Sequence, residues 1–175
     1  LTSVADTVAN ITTIDGLTTS EVTMAAATVS IIDTGATKTQ VDAVNAFTTG
    51  TVTPTSLTED RADIVTLQGT TGISLSTTNI TVTDQVTKAQ ADTINGYTSG
   101  QVILNSVSAS VSELAAIEGY TDSDMKFADN GAISVSDAAT LANATTINGY
   151  TTGQVTLTSV TDIVANITTI DGLTT

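Results

Sequence analysis

The sequence predicts an α/β solenoid in which short parallel strands and short helices alternate along one repeating array. The corner Ile147–Gly153, with the sequence INGYTTG, recurs in seven variants along the chain. The segments 1–19 and 157–175 are near duplicates that differ only at positions 5/161 and 7/163. A strand-like segment and then a helix-like segment lie between successive corners. Such repetition at a short period is typical of solenoids.

The corners divide the chain into alternating short and long repeats of about 22 and about 30 residues, which form a double repeat of about 52 residues. We expect a single array over residues 1–175, without internal domain boundaries. It begins with a partial short repeat, 1–20, and continues with the double repeats 21–71, 72–123 and 124–175. The near identity of the two ends indicates a fragment of a longer repeat protein.

The composition excludes several kinds of chemistry. The 175 residues include no Cys, His or Trp, which excludes disulfides, thiolate or imidazole metal sites, and catalysis by His or Cys. The net charge is −14, with only four Lys and Arg residues, so the chain lacks the cations that nucleic acids or anionic membranes require. No apolar run is long enough to cross a bilayer, and we expect no membrane insertion.

Each repeat begins with alternating apolar and polar residues, which predict short, half-buried strands. The long repeats contain a second alternating segment, which predicts a further strand. Whether this second strand pairs with residues such as Ser159 and Val160 of the short repeat, or stands alone, is open. The first strands are predicted at 21–24, 51–53, 72–75, 101–104 and 154–157, and the second strands at 28–33, 79–84 and 132–137.

Helical periodicity follows the strands in both kinds of repeat. In the long repeats the helices begin near Thr37, Thr87 and Thr140, and in one short repeat Ser110 and Glu113 form a capping-box pattern. The apolar face of the last short repeat consists of Val160, Ile163, Val164, Ile167, Ile170 and Leu173. The faces in the long repeats are Val41/Val44/Phe47, Ala91/Ile94/Tyr97 and Ala144/Ile147/Tyr150.

The recurring corner is interpreted as a helix stop. Its first glycine, as in Asn148-Gly149, is expected at the C′ position with positive φ, and the next apolar residue is expected to fold back onto the helix. Thr-Thr-Gly then leads the chain into the next strand. Parallel strands connected through helices predict a right-handed solenoid.

Three acidic sets are candidate Ca²⁺ sites, and each also has a structural interpretation. The first set lies at the corners, where helix capping is favoured over a shared carboxylate site. The second follows the second strand of each long repeat, where an Asx turn or an N-cap is favoured. The third is a solvated acidic loop around Ser123 that also contains Lys126. The sets are Asp15/Asn45/Gln68/Asn95/Glu118/Asn148/Asp171, then Asp33/Asp84/Asp137, and then Asp122/Asp124/Asp129.

Tyr97, Tyr120 and Tyr150 follow three of the corner glycines. They could form an aromatic platform for a carbohydrate, but their position favours packing at the rim of the core. No carboxylate pair departs from the repeat pattern as an active site is expected to. We therefore expect no catalytic residues and no enzyme activity.

One repeat carries a resemblance to a known class of proteins. Ile80-Thr-Val-Thr-Asp84, Thr87-Lys-Ala-Gln-Ala-Asp-Thr-Ile-Asn95 and Thr98-Ser-Gly-Gln-Val102 resemble repeats of giant Thr-, Ala- and Asp-rich cell-surface proteins of marine cyanobacteria, including proteins linked to swimming without flagella. The resemblance implies a secreted, surface-attached and very long protein. It implies no catalytic residues.

These observations predict a structural segment of a long extracellular or cell-surface protein that forms a rod, coat or filament. The expected partners are copies of the same chain, associated end to end or laterally. The alternative is an adhesin or fibre that binds a carbohydrate, such as a surface polysaccharide, through its Thr-rich face. No cofactor is expected, with Ca²⁺ as the one ion considered.

Overall fold

The computed structural model describes residues 1–17 and 22–171, and for Asp171 the backbone alone. Strands and helices alternate along most of this sequence. The strands are β1 Ser3–Asp6, β2 Thr28–Ile31, β3 Val52–Pro54, β4 Ser56–Glu59, β5 Asn79–Val86, β6 Val102–Ala109, β7 Met125–Ala139 and β8 Val155–Val160. The helices are α1 Val8–Asp15, α2 Lys38–Asn45, α3 Arg61–Gly69, α4 Lys88–Asn95, α5 Val111–Glu118, α6 Leu141–Asn148 and α7 Val164–Asp171.

The fold class is α/β with parallel strands in two sheets. One sheet has the order β1-β2-β3 and the other has the order β4-β5-β6-β7-β8, so strand order follows chain order in both. Parallel pairing joins β1 to β2 and β2 to β3 in the first sheet, and β6 to β7 and β7 to β8 in the second. This is the α/β class with parallel strands that the sequence predicts.

The chain forms two compact units, the first comprising residues 1–81 and 96–101 and the second comprising residues 82–95 and 102–175. In each unit, strands such as β2 and β6 bury alternate apolar residues. Helices α2 to α6 each bury a pair of residues three positions apart, such as Val41/Val44 in the first unit and Leu114/Ile117 in the second. Complete burial of such a side chain contributes about 1.5–3 kcal/mol. Packing of one narrow face therefore stabilises helices too short to persist alone.

Three of the five predicted first strands are confirmed, at 51–53, 101–104 and 154–157. The other two predictions are wrong. Residues 22–24 and 72–75 contain no strand, apart from one isolated bridge between Ile73 and Val52, and Glu21 lies outside the described residues. These segments are instead held in turns, through the bonds from Ala27 N–H to the Met24 carbonyl and from Thr78 N–H to the Leu75 carbonyl.

The second strands of the long repeats are confirmed as β2, β5 and the second half of β7. Their pairing, which the sequence leaves open, is with the short repeats. Ala138 and Ala139 of β7 pair with Ser159 and Val160 of β8, after a register shift that follows Val135. In the first sheet β2 pairs with β1, which is the sequence duplicate of residues 159–162.

The predicted helix starts are confirmed at Thr37, Ser110 and Thr140, which are N-caps with reciprocal capping-box bonds. Thr87 makes the same pair of bonds with Gln90. The predicted faces in the long repeats are buried at their first two positions, and the aromatic third position is half-buried.

The predicted face of the last short repeat is not buried. Val160 ends β8 rather than lying on α7, and Leu173 lies outside the described residues. Ile163, Val164 and Ile167 are 67%, 81% and 43% exposed. In the second sheet, no described strand pairs with the outer edge of β8. In the first sheet, β2 pairs with the corresponding edge of β1.

The predicted positive φ at the corner glycines is wrong. Gly16, Gly119 and Gly149 have φ of −70°, −76° and −77°, in the right-handed region. Among the described glycines only Gly35 and Gly72 have positive φ. The helices end in a tight turn, in which the N–H of the following residue donates to the carbonyl three positions earlier, and this turn needs no left-handed residue.

Candidate functional site

Carboxylates near the ends of β strands bind the first N–H of the helix in the preceding repeat at four helices, α1, α2, α5 and α6. Asp33 Oδ2 accepts a hydrogen bond from the backbone N–H of Val8, the first residue of α1, at 2.6 Å. Asp137 Oδ1 accepts the equivalent bond from Val111 of α5 at 2.8 Å. The N-cap role predicted for Asp33 and Asp137 in their own repeats is wrong, because the N-caps of α2 and α6 are Thr37 and Thr140. The two carboxylates instead bind the N-terminus of the helix in the preceding repeat. Asp84 is half-buried in β5.

Two further carboxylates make the same contact and were missed by sequence reasoning. Glu59 Oε1 accepts from the N–H of Lys38 at 2.5 Å, and Asp162 Oδ2 accepts from the N–H of Leu141 at 2.9 Å. The signal is an acid two positions after the last apolar residue of a strand, as in Leu57-Thr-Glu59. We call Asp33, Glu59, Asp137 and Asp162 the inter-repeat caps.

Asp162 has the most extensive set of partners. Its Oδ1 also accepts from the N–H of Ile163 and from Asn166 Nδ2, both at 2.8 Å. These donors lower the pKa of Asp162, the bond from Leu141 having the largest effect. Its duplicate Asp6 makes the two local bonds, to Asn10 and Thr7, which likewise lower the pKa of Asp6.

The corners of the long repeats form a second recurring cluster, which we call the corner clamp. The first Thr of the corner donates its hydroxyl to a carbonyl near the start of the same repeat. The residue after it donates both its N–H and its hydroxyl to a second carbonyl nearby. The first-Thr bonds are Thr48 to Ala27 at 2.6 Å, Thr98 to Thr78 at 2.7 Å and Thr151 to Gly131 at 2.6 Å. The second carbonyls belong to Ala25, Ser76 and Asp129.

The glycine that completes each clamp lies directly against the backbone. A Cβ at Gly50, Gly100 or Gly153 would lie 2.2, 2.5 or 2.3 Å from a carbonyl oxygen. Such a separation is far inside van der Waals contact, so only glycine fits. The third residue of Thr-Thr-Gly, rather than the glycine after Asn, is therefore the position where the corner requires glycine.

The first acidic set, at the corners, lies at the helix ends and has two environments. Asp15, Gln68 and Glu118 of the short repeats are exposed, whereas Asn45, Asn95 and Asn148 of the long repeats are half-buried. Asn45 Nδ2 donates to the Thr71 carbonyl at 3.2 Å. Although Glu118 is exposed, the pKa of its carboxyl is raised by partial desolvation from the surrounding protein and then by the nearby charge of Asp122. The side chain of Asp171 lies outside the described residues.

The loop around Ser123 makes local contacts. Thr121 Oγ1 donates to Asp124 Oδ2 at 2.5 Å, and Lys126 Nζ lies 3.7 Å from Asp129 Oδ1. Over residues 1–17 and 22–170, no three acidic side chains are grouped so that they could hold a metal ion.

Two of the three tyrosines contact specific neighbours. The hydroxyl of Tyr120 donates to Asp92 Oδ1 at 3.2 Å, and Lys88 Nζ binds the other oxygen of Asp92 at 2.6 Å. The ring of Tyr150 stacks on Phe127, with 5.9 Å between centroids. Tyr97 is half-buried. The expected rim packing is confirmed for Tyr120 and Tyr150.

No protein-family model matches the chain, and no curated protein or solved structure is similar to it. In the part of the chain that the structure describes, no helix has the length and apolar character needed to cross a membrane.

The inter-repeat caps and the corner clamps stabilise the fold of the chain itself. A carboxylate that accepts a backbone N–H at a helix N-terminus stabilises that terminus and also ties it to the strand that carries the carboxylate. In each long repeat, the clamp binds the corner to backbone carbonyls near the start of the same repeat. Side chains in both clusters are bound to their own chain, and the sites recur with the repeat.

Proposed function

We propose that this chain is a structural segment of a long extracellular or cell-surface protein, in which it forms part of a rod, coat or filament. The observation that carries the proposal is the inter-repeat cap, which joins a helix to the next repeat at four places. Because the contact recurs with the repeat, it joins neighbouring repeats in the same way each time, and an added repeat would add one more such contact. This is the behaviour of a scaffold rather than of a single binding site.

The proposed architecture is a right-handed solenoid with one short parallel strand and one short helix per coil. It is supported by strands that follow one another in chain order within each sheet and by helices that contact the next helix within each compact unit. The alternation of coils of about 22 and about 30 residues follows from the sequence. The double repeats 21–71, 72–123 and 124–175 are the proposed building blocks of the array.

The proposed location and partners rest on composition and sequence resemblance. A net charge of −14 favours solubility and disfavours nucleic acid as a partner. The absence of Cys agrees with a surface protein that does not use disulfides, and the Thr-rich repeats resemble those of cyanobacterial surface proteins. We propose association with further copies of the chain and no enzymatic role. The caps and clamps need no metal ion, so the proposal does not depend on Ca²⁺.

Electron microscopy of the native assembly tests this function. Antibodies raised against the folded chain would be used to gold-label intact cells of the source organism and purified envelope fractions. We expect label on rods, filaments or a surface coat, with a repeating density along their length. Label confined to the cell interior, or to isolated globular particles, would contradict the proposal.

An adhesin is the second candidate, and one surface favours it. Hydroxyl-bearing side chains lie along β1 to β3, where a groove of about 350 Å³ is lined in part by Ser3, Thr28, Ser30, Thr51 and Thr53. Parallel strands present such side chains at regular intervals, which suits the repeated hydroxyls of a polysaccharide. Binding on a glycan array that is lost in Ser30→Val/Thr53→Val would support this function. An array without signal would contradict it.

A further inference from the structure

The corner clamp of the third long repeat, residues 124–153, departs from the other two. In each clamp, one residue supplies the second carbonyl that the corner binds. That residue is Ala25 in the first long repeat, Ser76 in the second and Asp129 in the third. Only the third clamp therefore has a carboxylate at this position. A functional site is expected to break a pattern that the rest of the chain obeys.

The carboxylate lies in a bulge of β7. Residues 128–131 of β7 lie opposite the single residue Asn105 of β6, where the register of the two strands shifts. A bulge changes the direction of a side chain relative to a regular strand, and bulges are common beside active sites. The side chain of Asp129 is 94% exposed as a result.

The clamp holds the backbone of this bulge against the corner. The carbonyl of Asp129 accepts from the N–H and the hydroxyl of Thr152, both at 2.7 Å. The carbonyl of Gly131 accepts from the hydroxyl of Thr151 at 2.6 Å. Within the described part of the chain, the Asp129 carboxylate itself accepts no hydrogen bond, and its ion pair is with Lys126 Nζ at 3.7 Å. A fixed backbone thus presents a carboxylate with free acceptor positions.

A cavity of about 380 Å³ lies beside the carboxylate. This volume falls within the range of about 300–1,000 Å³ that is typical of small-molecule sites. The wall combines a carboxylate, an amide, an aromatic ring and hydroxyl groups. The lining residues are Asp129, Asn148, Gly149, Tyr150, Thr151 and Thr152.

Tyr150 gives the cavity an aromatic wall with a fixed orientation. Its ring stacks on Phe127, with 5.9 Å between centroids and 6° between the ring planes. Phe127 is 5% exposed, so a buried side chain supports the half-buried ring of Tyr150. The hydroxyl of Tyr150 makes no hydrogen bond to a described residue. A ring that is already immobilised loses little entropy when a ligand packs against it.

The corners stay accessible when further repeats follow them. Thr49 and Ser99 occupy the place of Thr152 at the first two corners, and both are exposed although more of the array follows each of them. A following repeat therefore does not cover this part of a corner, and the cavity at the third corner does not depend on where the sequence stops.

The charges beside the cavity favour a neutral ligand. The ion pair with Lys126 partly balances the charge of Asp129. Over the described residues, no three acidic side chains are grouped to hold a metal ion, and one carboxylate is too few for Ca²⁺. A sugar ring offers an apolar face that packs on an aromatic ring, and hydroxyls that donate to carboxylate and amide oxygens.

We propose that the corner of the third long repeat binds a neutral saccharide. One sugar ring packs against Tyr150, and its hydroxyls donate to the carboxylate of Asp129 and the amide oxygen of Asn148. This site is distinct from the hydroxyl-lined groove along β1 to β3. It goes beyond the scaffold function, because it occurs at one corner whereas the scaffold contacts recur.

Binding of neutral oligosaccharides to the whole chain tests the site. The probes are maltotriose, cellotriose, xylotriose and mannotriose, each measured by saturation-transfer difference NMR. We expect transfer to the ring protons of at least one of them, with an affinity that titration then determines. A complete absence of transfer to all four sugars would overturn the proposal.

Two substitutions assign the binding to this corner. Asp129→Asn should weaken binding about tenfold or more, because a hydrogen bond to a charged acceptor is about twice as strong as one to a neutral acceptor. Tyr150→Leu should weaken it as well, because it removes the ring. Thermal unfolding checks the fold of each variant. Since the Asp129 side chain is exposed, Asp129→Asn decides the point even where Tyr150→Leu unfolds. An unchanged affinity in Asp129→Asn would overturn the proposal.

Tyr97→Leu is the matched control, because Tyr97 lies at the corner whose clamp has Ser76 in place of Asp129. It should leave the affinity unchanged. Ser30→Val/Thr53→Val should also leave it unchanged, because those residues line the other groove. Binding that is lost in either control but retained in Asp129→Asn would overturn the corner site.

The outcome is separate from that of electron microscopy on the native assembly. Saccharide binding at Asp129 without native rods, filaments or coats would refute the proposed structural function alone. Native rods, filaments or coats formed by a chain that binds none of the sugars would refute the saccharide site alone.

Discussion

Asp33 accepts a hydrogen bond from the backbone N–H of Val8 at 2.6 Å, across 25 positions of sequence. The bond joins the end of β2 to the start of α1 and so couples the folding of two successive repeats. The N-cap residue Thr7 provides only local bonds for the same helix. The start of α1 is thus stabilised partly by its own sequence and partly by the next repeat.

Replacement of Asp33 by Ala should destabilise the protein by about 1 kcal/mol, the typical effect of losing a helix-capping side chain. Asp33→Asn keeps one acceptor oxygen and should lose less. The measurement is the shift of the urea unfolding midpoint at pH 7.

Asp15→Ala provides the matched control for Asp33, because Asp15 is an exposed acid at the C-terminal end of α1. A negative charge is unfavourable at that end of a helix, so its removal should leave stability unchanged or slightly increased. Equal losses in Asp33→Ala and Asp15→Ala would show that the cap has no special effect.

The pH dependence of stability should follow the caps with lowered pKa. Asp162 has a folded pKa below the unfolded value of about 3.9, so its charged form stabilises the fold above about pH 4. This stabilisation is lost as the pH falls through the folded pKa. The difference in urea midpoint between the natural chain and Asp162→Asn should therefore be largest near pH 6 and shrink toward pH 3. A difference that stays constant over this range would contradict the assignment.

Glu118 should show the opposite sign. Partial desolvation, followed by the charge of Asp122, raises its folded pKa above the unfolded value of about 4.3, so the charged form destabilises the fold at neutral pH. Glu118→Gln should be more stable than the natural chain at pH 7. The advantage should vanish as the pH falls below the unfolded pKa. Unfolding midpoints of the two proteins between pH 3 and pH 7 give the comparison, and an advantage that persists at pH 3 would refute this interpretation.

The corner clamp predicts that two glycines of the same compact unit differ in their tolerance of alanine. A Cβ at Gly153 would lie 2.3 Å from the Asn130 carbonyl oxygen, so Gly153→Ala must displace backbone and should cost about 1–3 kcal/mol or more. At Gly119 the φ is −76° and the nearest atoms are 3.4 Å away. Gly119→Ala should be neutral or should stabilise by up to about 1 kcal/mol. Thermal unfolding of both variants decides the point, and a larger loss at Gly119 would contradict the clamp.

Local patterns in the sequence predict the elements of this fold well. The i, i+3 apolar pairs locate the helices, and Thr37, Ser110 and Thr140 mark their starts because a capping box is formed within four residues. Alternation locates most of the strands, including the edge strands β3 and β8. It fails at 22–24 and 72–75, where four alternating residues match a turn as well as a strand.

The contacts between repeats are where sequence reasoning falls short. An acceptor role for Asp33 is predictable, because acids that follow strands commonly cap helices. Its partner, the N–H of Val8, belongs to another repeat, and the contact depends on the register between β1 and β2. The corner glycine needs no left-handed conformation, because Ala46 occupies the same position in one long repeat with φ of −72°. A position that accepts alanine has no need of positive φ, so the repeat comparison itself predicts the observed turn.

The duplicated segments predict unequal effects for the same substitution. Ile11 is completely buried, so Ile11→Ala should cost about 2–5 kcal/mol through lost burial and a residual cavity. Ile167 is 43% exposed, and Ile167→Ala in dilute, monomeric protein should cost about 1 kcal/mol or less. The measurement is urea unfolding at a protein concentration where sedimentation shows a monomer.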